Sequence, residues 1–310
     1  GVYLLQRLSL YATDETRLQR TVPYLVILLR DPLPSLRAAA VRALTQVLSS
    51  VRSVTSADTN IFPEFIFPAM TALASDSAKG VKLAFIESLA QIAVISKSFL
   101  DLSHAERQRL VVISNLKKFD NENAEKDADN NGATDSTVAG QIAIEENSSS
   151  ISMNPNVVVN GNYDFEVDRL RDIVGNIISS LVAATRRPSP QVHGSGAEAP
   201  SSGDEAANSI IKRALLRNLA SLCDFFGSDY TNDKVFLWMI SFMNERKDWE
   251  LRKTFFQCIS IVSPYLPSMI PTMITFIEDA FADGHEIVVK EALSSLCSLT
   301  RLKVAYKYIK

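Results

Sequence analysis

The stretch "RDPLPSLRAAAVRALTQVL", from Arg30 to Leu48, carries the pattern on which the architecture of this chain is built. An Asp-Pro pair ends one apolar segment, and a Leu-Arg pair followed by three alanines begins the next. Asp accepts backbone N–H bonds in turns and Pro fixes φ, so Asp31-Pro32 predicts a turn between two helices. The alanines from Ala38 to Ala40 would let these helices approach closely. The stretch therefore predicts an antiparallel helix pair.

The start of the second helix recurs along the chain. An apolar residue followed by a basic one begins five amphipathic segments, at Leu36-Arg37, Val81-Lys82, Ile211-Lys212, Leu251-Arg252 and Val289-Lys290. Successive basic residues are separated by 45, 130, 40 and 38 positions. Three of these four spacings are close to the roughly 40–47 residues of two-helix solenoid repeats. The recurrence predicts helix pairs stacked in sequence order.

Acidic residues precede these pairs. Asp31 and Asp76 lie five residues before their apolar-basic pairs, Asp248 lies three before Leu251, and Asp283 lies six before Val289. We expect each basic residue to return to the acid of its own turn, and a ladder of basic residues that binds a partner is the alternative. The predicted turn and structural residues are Asp31, Pro32, Arg37, Asp76, Lys82, Lys212, Asp248, Arg252 and Lys290.

Prolines recur in the first helix of the units. Pro23 and Pro68 each lie 14 residues before the basic residue of their unit, and Pro63 and Pro271 each lie 19 residues before theirs. A proline inside a helix removes one hydrogen bond and bends the axis. The recurrence predicts a bend at a similar place in successive first helices, which would let the stacked pairs curve.

Each second helix has one apolar face at helical spacing, and we find no convincing run of alternating residues typical of strands. The clearest faces include Ala40, Leu44 and Leu48 in the first unit and Leu251, Phe255 and Ile259 in the fourth. In the last unit the spacing favours Val289, Leu293 and Leu296 as the buried face. Cys223, Cys258 and Cys297 lie in such apolar patterns, so we expect buried free thiols in a reducing cytosol.

Two polar segments interrupt the helical pattern. The first is rich in Asn, Asp, Ser and Glu, and nine acids against one base between Asp120 and Asp164 give it a charge of −8. Such segments bury too little apolar surface to offset their ordering entropy. We predict helical repeats over 1–118, an acidic disordered insertion over 119–159, one helix of an interrupted repeat over 160–185, a disordered loop over 186–208 and further repeats over 209–310.

The composition excludes several classes of protein. The remaining chain is only mildly basic, which is too little for a nucleic-acid partner. No apolar run approaches the roughly 18 residues of a membrane helix. The chain starts at Gly1 without a charged-then-apolar leader, so we expect no signal peptide and interpret the chain as a piece of a longer protein. The three histidines show no metal-ligand spacing, and no metal or cofactor is predicted.

Each unit resembles the HEAT repeats of α-solenoids, most closely in "VPYLVILLRDPLPSLRAAAVRAL" and "FPAMTALASDSAKGVKLAFIESL". These segments, together with "NGNYD" at Asn160–Asp164 and "MISFMNERKDWELRKTFFQCI", resemble the helical middle region of one family. That family is the regulatory subunit of the class III phosphatidylinositol 3-kinase complex, the vacuolar-sorting protein fifteen family. The resemblance covers most of the chain and implies an all-α, right-handed HEAT superhelix between a kinase-like domain and a WD-repeat propeller.

The resemblance also implies a function. We expect a non-catalytic scaffold that positions the lipid kinase and adaptor subunits for endosomal or vacuolar sorting and autophagy, in the cytoplasm and peripherally on endosomal, vacuolar and autophagosomal membranes. The chain has no Gly-rich phosphate loop, His-Arg-Asp loop or Asp-Phe-Gly motif, so any kinase activity of the family would lie outside it. The alternative is a HEAT adaptor of another class, such as a nuclear transport receptor or a phosphatase scaffold.

Three residues are candidates for contacts or regulation. Trp249 lies in a charged turn, where it would anchor a partner if exposed or fold onto its own repeat. Tyr163 follows an Asn-Gly turn signal just before a helix predicted from Phe165, and it would pin the end of the insertion to the solenoid or contact a partner. Ser189 in "RRPSP" is a possible phosphorylation site, because a phosphate there would lie beside two arginines.

Overall fold

The computed structural model describes residues 1–55, 58–129, 155–185, 202–243 and 248–302, and within these ranges the regular structure is entirely helical. The all-α class is therefore confirmed for the described residues. The α-helices are α1 (Val2–Ser9), α2 (Asp14–Thr16), α3 (Val22–Leu28), α4 (Pro34–Ser49), α5 (Phe67–Thr71), α6 (Lys79–Asp129), α7 (Pro155–Thr185), α8 (Ser202–Tyr230), α9 (Phe236–Ser241), α10 (Trp249–Val262), α11 (Ile270–Ala280) and α12 (Glu286–Thr300).

Helices pack against neighbours in sequence order. The row α4, α6, α8, α10 and α12 forms one layer, in which each helix packs against the next. The shorter α3 and α11 pack against α4 and α12, and α7 packs against both α6 and α8. Packing that runs from neighbour to neighbour is what an α-solenoid requires, because each unit can bury its apolar face only against adjacent units. The right-handed sense of the superhelix stays a prediction.

The predicted apolar faces are buried in four of the five long second helices. Ala40, Leu44 and Leu48 of α4 are fully buried, as are Phe255 and Ile259 of α10. The buried residues of α6 and α8 also follow the predicted spacing, with Val81, Phe85, Leu89, Ile92 and Ala93 in α6 and Ile211, Leu215, Leu219, Leu222 and Phe226 in α8. Hydrophobic periodicity therefore identifies the packed layer correctly in these helices.

The prediction for α12 was wrong by one residue. The buried positions are Val288, Ala292, Ser295 and Leu299, whereas Leu293 is 48% exposed. Small residues determine which face of α12 is buried. The Ser295 hydroxyl donates a 2.6 Å hydrogen bond to the carbonyl oxygen of Phe256 in α10. Close approach of the two backbones therefore outweighs burial of a larger side chain. The rotation also exposes Cys297, for which the sequence pattern predicted a place in the core.

The helices extend further into the polar segments than predicted. Helix α6 runs to Asp129, α7 begins at Pro155 and α8 begins at Ser202, while residues 130–154 and 186–201 lie outside the described part of the chain. The predicted turn at Asn160–Asp164 lies inside α7 and is therefore corrected. An Asn-Gly pair favours a turn only locally. Packing of α7 against α6 outweighs this preference, and the segment is helical.

The first helices contain π turns at corresponding places. These turns span Arg17–Thr21, Phe62–Ile66 and Thr231–Val235, and they begin 20, 20 and 21 residues before Arg37, Lys82 and Arg252. The first two are followed by a proline at the second position of the next helix, Pro23 in α3 and Pro68 in α5. The third has Leu237 at that position, so proline accompanies the irregularity but is not required for it.

Helix α6 is longer and more apolar than the sequence pattern predicted. Its segment Lys79–Leu116 is long and apolar enough to cross a membrane by length and composition, but 61% of the most apolar window is buried inside the protein. Core helices of soluble proteins commonly meet the same criterion. The burial therefore identifies the first half of α6 as a core helix, packed between α4 and α8.

Candidate interaction surface

The first inter-unit contact joins the start of α4 to the next turn. The Arg37 guanidinium donates two 2.8 Å hydrogen bonds to the carboxylate of Asp76, from Nε to Oδ2 and from Nη2 to Oδ1. Arg37 also donates to the backbone carbonyl oxygens of Asp31 (2.8 Å) and Pro32 (3.1 Å). The expected bond to the carboxylate of its own turn is therefore corrected, because Arg37 contacts the backbone of that turn and the carboxylate of the next.

The same geometry recurs near the end of the described chain. Arg252 of α10 donates to Asp283 through Nε (2.6 Å) and Nη2 (3.0 Å). In both cases one carboxylate oxygen also accepts a backbone N–H from two residues further on, at 2.8 Å from Ala78 and 2.9 Å from His285. We call these two contacts, Arg37–Asp76 and Arg252–Asp283, the turn staples. Each staple fixes a turn and joins it to the preceding unit.

The turn staples lower the pKa of their carboxyl groups. For Asp283 the main cause is the hydrogen bonding to Arg252, which outweighs the opposing effect of burial. For Asp76 burial opposes the shift, but the hydrogen bonds from Arg37 and Ala78 and the positive charges of Arg37 and Lys82 hold its pKa below the usual value. Both carboxylates therefore contribute stability in their charged form.

The remaining predicted turn and structural residues occupy different environments. Lys82 lies near Asp76, whose charge it helps to stabilise. Lys212 is buried with 5% of its surface exposed, whereas Lys290 is exposed. Asp248 caps α10 by accepting the Leu251 N–H at 3.0 Å, and it accepts the Ser209 hydroxyl of α8 as well. The structure thus places most of these residues in structural contacts, and Lys290 at the surface.

Trp249 lies on the same edge as the turn staples. Its half-buried ring stacks on the imidazole of His285 in the following turn, with centroids 5.4 Å apart and planes 21° apart. The ring therefore folds onto a neighbouring unit, where it covers the turn that carries Asp283. The arrangement favours a structural role for Trp249. His285 was missed by sequence reasoning, although its place two residues after a turn Asp is a usable signal.

The middle of the chain is joined by a different arrangement, which we call the α6–α7 clamp. The Tyr163 hydroxyl donates to Asp101 at 2.5 Å, and the Tyr163 ring packs against His104 with centroids 4.9 Å apart. One turn further along α6, Arg107 donates to both carboxylate oxygens of Glu166, at 3.2 and 2.8 Å. Burial and the hydrogen bond to Asp101 raise the pKa of Tyr163 to about 12. Tyr163 therefore pins the start of the packed part of α7 to α6.

Two further contacts were missed by sequence reasoning. Asp14 at the start of α2 accepts the backbone N–H groups of Arg52 and Ser53 at 3.1 and 3.0 Å, so it holds the loop that follows α4. Gly175 in α7 is packed so closely against the Tyr230 hydroxyl that a Cβ atom would overlap it. An Asp in the first turn of a short helix and a glycine inside a long one are too common to single out from one sequence.

The described residues offer little for catalysis. Among them, no group of three or more His, Cys, Asp or Glu side chains could hold a metal ion. Cys223 and Cys258 are buried, and burial is the main reason that the pKa of each thiol rises to about 12, which makes both unreactive. Ser189, the predicted phosphorylation site, lies outside the described residues.

The fold and the turn staples define an all-α chain of the helical-solenoid class, with contacts distributed along its surface. A family model described as PIK3R4-like, middle domain, matches residues 1–309. The chain belongs to this family.

Several relatives have names that fit this assignment. The chain is 28% identical over 259 residues to the serine/threonine-protein kinase VPS15 of Arabidopsis thaliana, with 84% of this chain and 14% of the relative covered. It is 28% identical over 313 residues to the probable serine/threonine-protein kinase vps15 of Dictyostelium discoideum, covering 99% and 13%. The Saccharomyces cerevisiae VPS15 kinase is 25% identical over 241 residues, covering 77% and 12%. The chain thus spans about an eighth of the length of these relatives.

Proposed function

We propose that this chain is a non-catalytic scaffold segment of the regulatory subunit of a class III phosphatidylinositol 3-kinase complex. It would position the lipid kinase and adaptor subunits for endosomal or vacuolar sorting and autophagy. The observation that carries the proposal is the match of the middle-domain family over residues 1–309. A function in the cytoplasm, peripherally on endosomal, vacuolar and autophagosomal membranes, follows from the same proposal.

The geometry supports a mechanical mechanism for this function. A scaffold sets distances between partners, so its units must keep fixed positions relative to one another. The turn staples supply such fixation, because the side chains of Asp76 and Asp283 are 8% and 11% exposed and are held by paired, charge-assisted hydrogen bonds. The α6–α7 clamp supplies it where the polar segments interrupt the series. In this proposal the kinase named in the relatives lies outside the segment.

The test uses the full-length protein that contains this chain, purified with its partners from its own cells. We expect a lipid kinase catalytic subunit to co-purify, and we expect the complex to form phosphatidylinositol 3-phosphate on liposomes. Asp76→Ala combined with Asp283→Ala should reduce this activity because the units lose their fixed positions. Asp168→Ala, which removes a 68% exposed carboxylate from an i,i+3 pair with Arg171, is the matched control and should have no effect.

Two outcomes would contradict the proposal. Recovery of transport cargo or a phosphatase catalytic subunit without a lipid kinase would favour the other class of HEAT adaptor. Unchanged lipid kinase activity in the double variant, with its turn staples demonstrably broken, would show that fixed spacing between the units is not what the complex needs.

A further inference from the structure

An apolar stretch of α6 lies beyond the packed part of that helix. Five large apolar side chains are between 38% and 60% exposed, namely Leu110, Val111, Val112, Ile113 and Leu116. Four of them are consecutive, and four successive positions of an α-helix point in four directions about its axis. We call residues 110–116 the α6 apolar segment. Apolar residues spread around a helix in this way are normally covered on more than one side.

The α6 apolar segment begins next to the α6–α7 clamp. The contacts of Tyr163 with Asp101 and of Arg107 with Glu166 fix the helix immediately before the segment. From Gln108 to Leu116 every residue is exposed, so no described part of the chain covers the segment. A fixed base and an uncovered apolar end form a rigid element that presents its surface at a defined place.

The charges around the α6 apolar segment favour some binding partners over others. Basic residues bound the segment on both sides in sequence, with Arg107 and Arg109 before it and Lys117 and Lys118 after it. Arg107 is engaged by Glu166, whereas Arg109 is 73% exposed and lies 3.9 Å from Glu106. A second copy of the segment would bring bases against bases in either orientation, which disfavours self-association.

A lipid surface is also disfavoured. The sequence beyond Lys118 contains five acids and one base between Asp120 and Asp129, all within α6. Anionic headgroups would repel this run, and Leu110 to Ile113 are not confined to one face, as the apolar residues of in-plane membrane helices are. A protein helix of about two turns with acidic ends pairs with Arg109 and with Lys117-Lys118 and does not extend over the acidic run, whereas a lipid surface extends over both.

We propose that the α6 apolar segment binds an apolar helix of a protein partner, whose apolar stretch of about two turns is bounded by Asp or Glu residues. The apolar contacts provide the affinity, and the acidic ends pair with the bases around the segment and set the orientation. The proposal rests on the proposed scaffold function, since it names a surface through which the scaffold would hold a subunit.

The test places the photo-reactive amino acid p-benzoyl-phenylalanine at Val112, and separately at Leu116, in the full-length protein in its own cells. After irradiation, mass spectrometry identifies the cross-linked peptides. We expect one peptide of another protein, helical and apolar with acidic ends. Arg109→Glu should reduce this cross-link about tenfold, the factor expected for losing one favourable charge pair at an interface. The control places the probe at Leu237 of α9, which is 62% exposed, and should not yield that peptide.

Four outcomes would overturn the proposal. These are a cross-link to residues 130–154 of the same chain, a cross-link between two copies in a mixture of isotopically light and heavy protein, adducts with phospholipid only, and no cross-link at either position. An acidic-ended partner helix from outside any lipid kinase complex would support the inference while contradicting the proposed function. Co-purification of the lipid kinase without the cross-link would do the reverse.

Discussion

The chain joins its units in two different ways. At two places a turn staple connects the start of one second helix to the turn that precedes the next, with the same donors and acceptors at Arg37–Asp76 and Arg252–Asp283. Where the acidic segment separates α6 from α7, the connection is made along the sides of the helices by Tyr163 and Arg107. A long insertion can therefore be accommodated when the contacts between units move from the turn to the helix flank.

The greatest loss of stability is expected from close packing in the middle unit. The Tyr230 ring is held between Phe226, stacked with centroids 4.5 Å apart, and the Lys234 ammonium, 4.5 Å from the ring centroid. It cannot move freely away from a new methyl group, so we expect Gly175→Ala to lower the free energy of unfolding by about 3 kcal/mol, the top of the usual range for overpacking. Denaturant unfolding of the 310-residue chain measures this change.

Gly80 provides the control for this substitution. It lies near the start of α6, and a Cβ atom there would meet nothing within 4 Å. Gly80→Ala should be neutral or stabilise the chain by up to about 1 kcal/mol through helix propensity. Equal effects of the two substitutions would show that the contact between α7 and Tyr230 does not hold the middle unit.

The second prediction concerns the turn staple near the end of the described chain. Asp283→Ala leaves the Arg252 guanidinium, 13% exposed, without its carboxylate and removes the cap on the His285 N–H. We expect a loss of about 2 kcal/mol, as for removing the carboxylate that accepts two charge-assisted hydrogen bonds from Arg252. Asp168→Ala, which removes an exposed carboxylate, should cost less than about 0.5 kcal/mol. A cost equally small for Asp283→Ala would show that the turn staples contribute little to stability.

The third prediction concerns the response to acid. Because the pKa values of Asp76 and Asp283 are lowered on folding, their stabilising contributions are complete above the usual carboxyl pKa of about 4 and are lost as pH falls through the folded-state pKa. Unfolding midpoints measured between about pH 2 and 6 should therefore fall more steeply for the unsubstituted chain than for Asp76→Asn combined with Asp283→Asn. Parallel curves would be inconsistent with this linkage.

The fourth prediction addresses the α6–α7 clamp. Tyr163→Phe removes the hydroxyl that donates to Asp101 and keeps the ring on His104, so we expect a loss of about 1 kcal/mol. Because the pKa of Tyr163 is raised to about 12, its contribution is present below pH 10 and is lost as pH rises towards 12. Hydrogen exchange should increase at the α6–α7 contact and not at the turn staples. Increased exchange at both would show that the two kinds of connection are not independent.

The weakest effect is expected for an exposed inter-helix pair. Arg42 of α4 lies 3.4 Å from Glu87 of α6, and both side chains are at least half exposed. Arg42→Ala should change the free energy of unfolding by less than about 0.5 kcal/mol. A change comparable to that of Asp283→Ala would mean that the faces of the helices, rather than their turns, set the register between units.

Much of this arrangement could be predicted from the sequence, and the failures have physical causes. Periodicity identified the buried faces of α4, α6, α8 and α10, because large apolar residues dominate there. It failed in α12, where the small residues Ala292 and Ser295 decide the register. The aspartates of the turns were predicted, but the arginine that contacts each of them was not. A sequence cannot distinguish the carboxylate of one turn from that of the next. The α6–α7 clamp could not be predicted, because the sequence does not indicate which helix lies beside Tyr163.

The π turns bear on how the length of this chain can vary. A π turn contains one residue more than an α turn, so it absorbs an insertion locally and leaves the side chains after it on their original faces. Deleting one residue within Phe62–Ile66 would regularise the helix without rotating its later turns. Related chains can therefore differ by a residue at these places while the order of buried and exposed positions is kept.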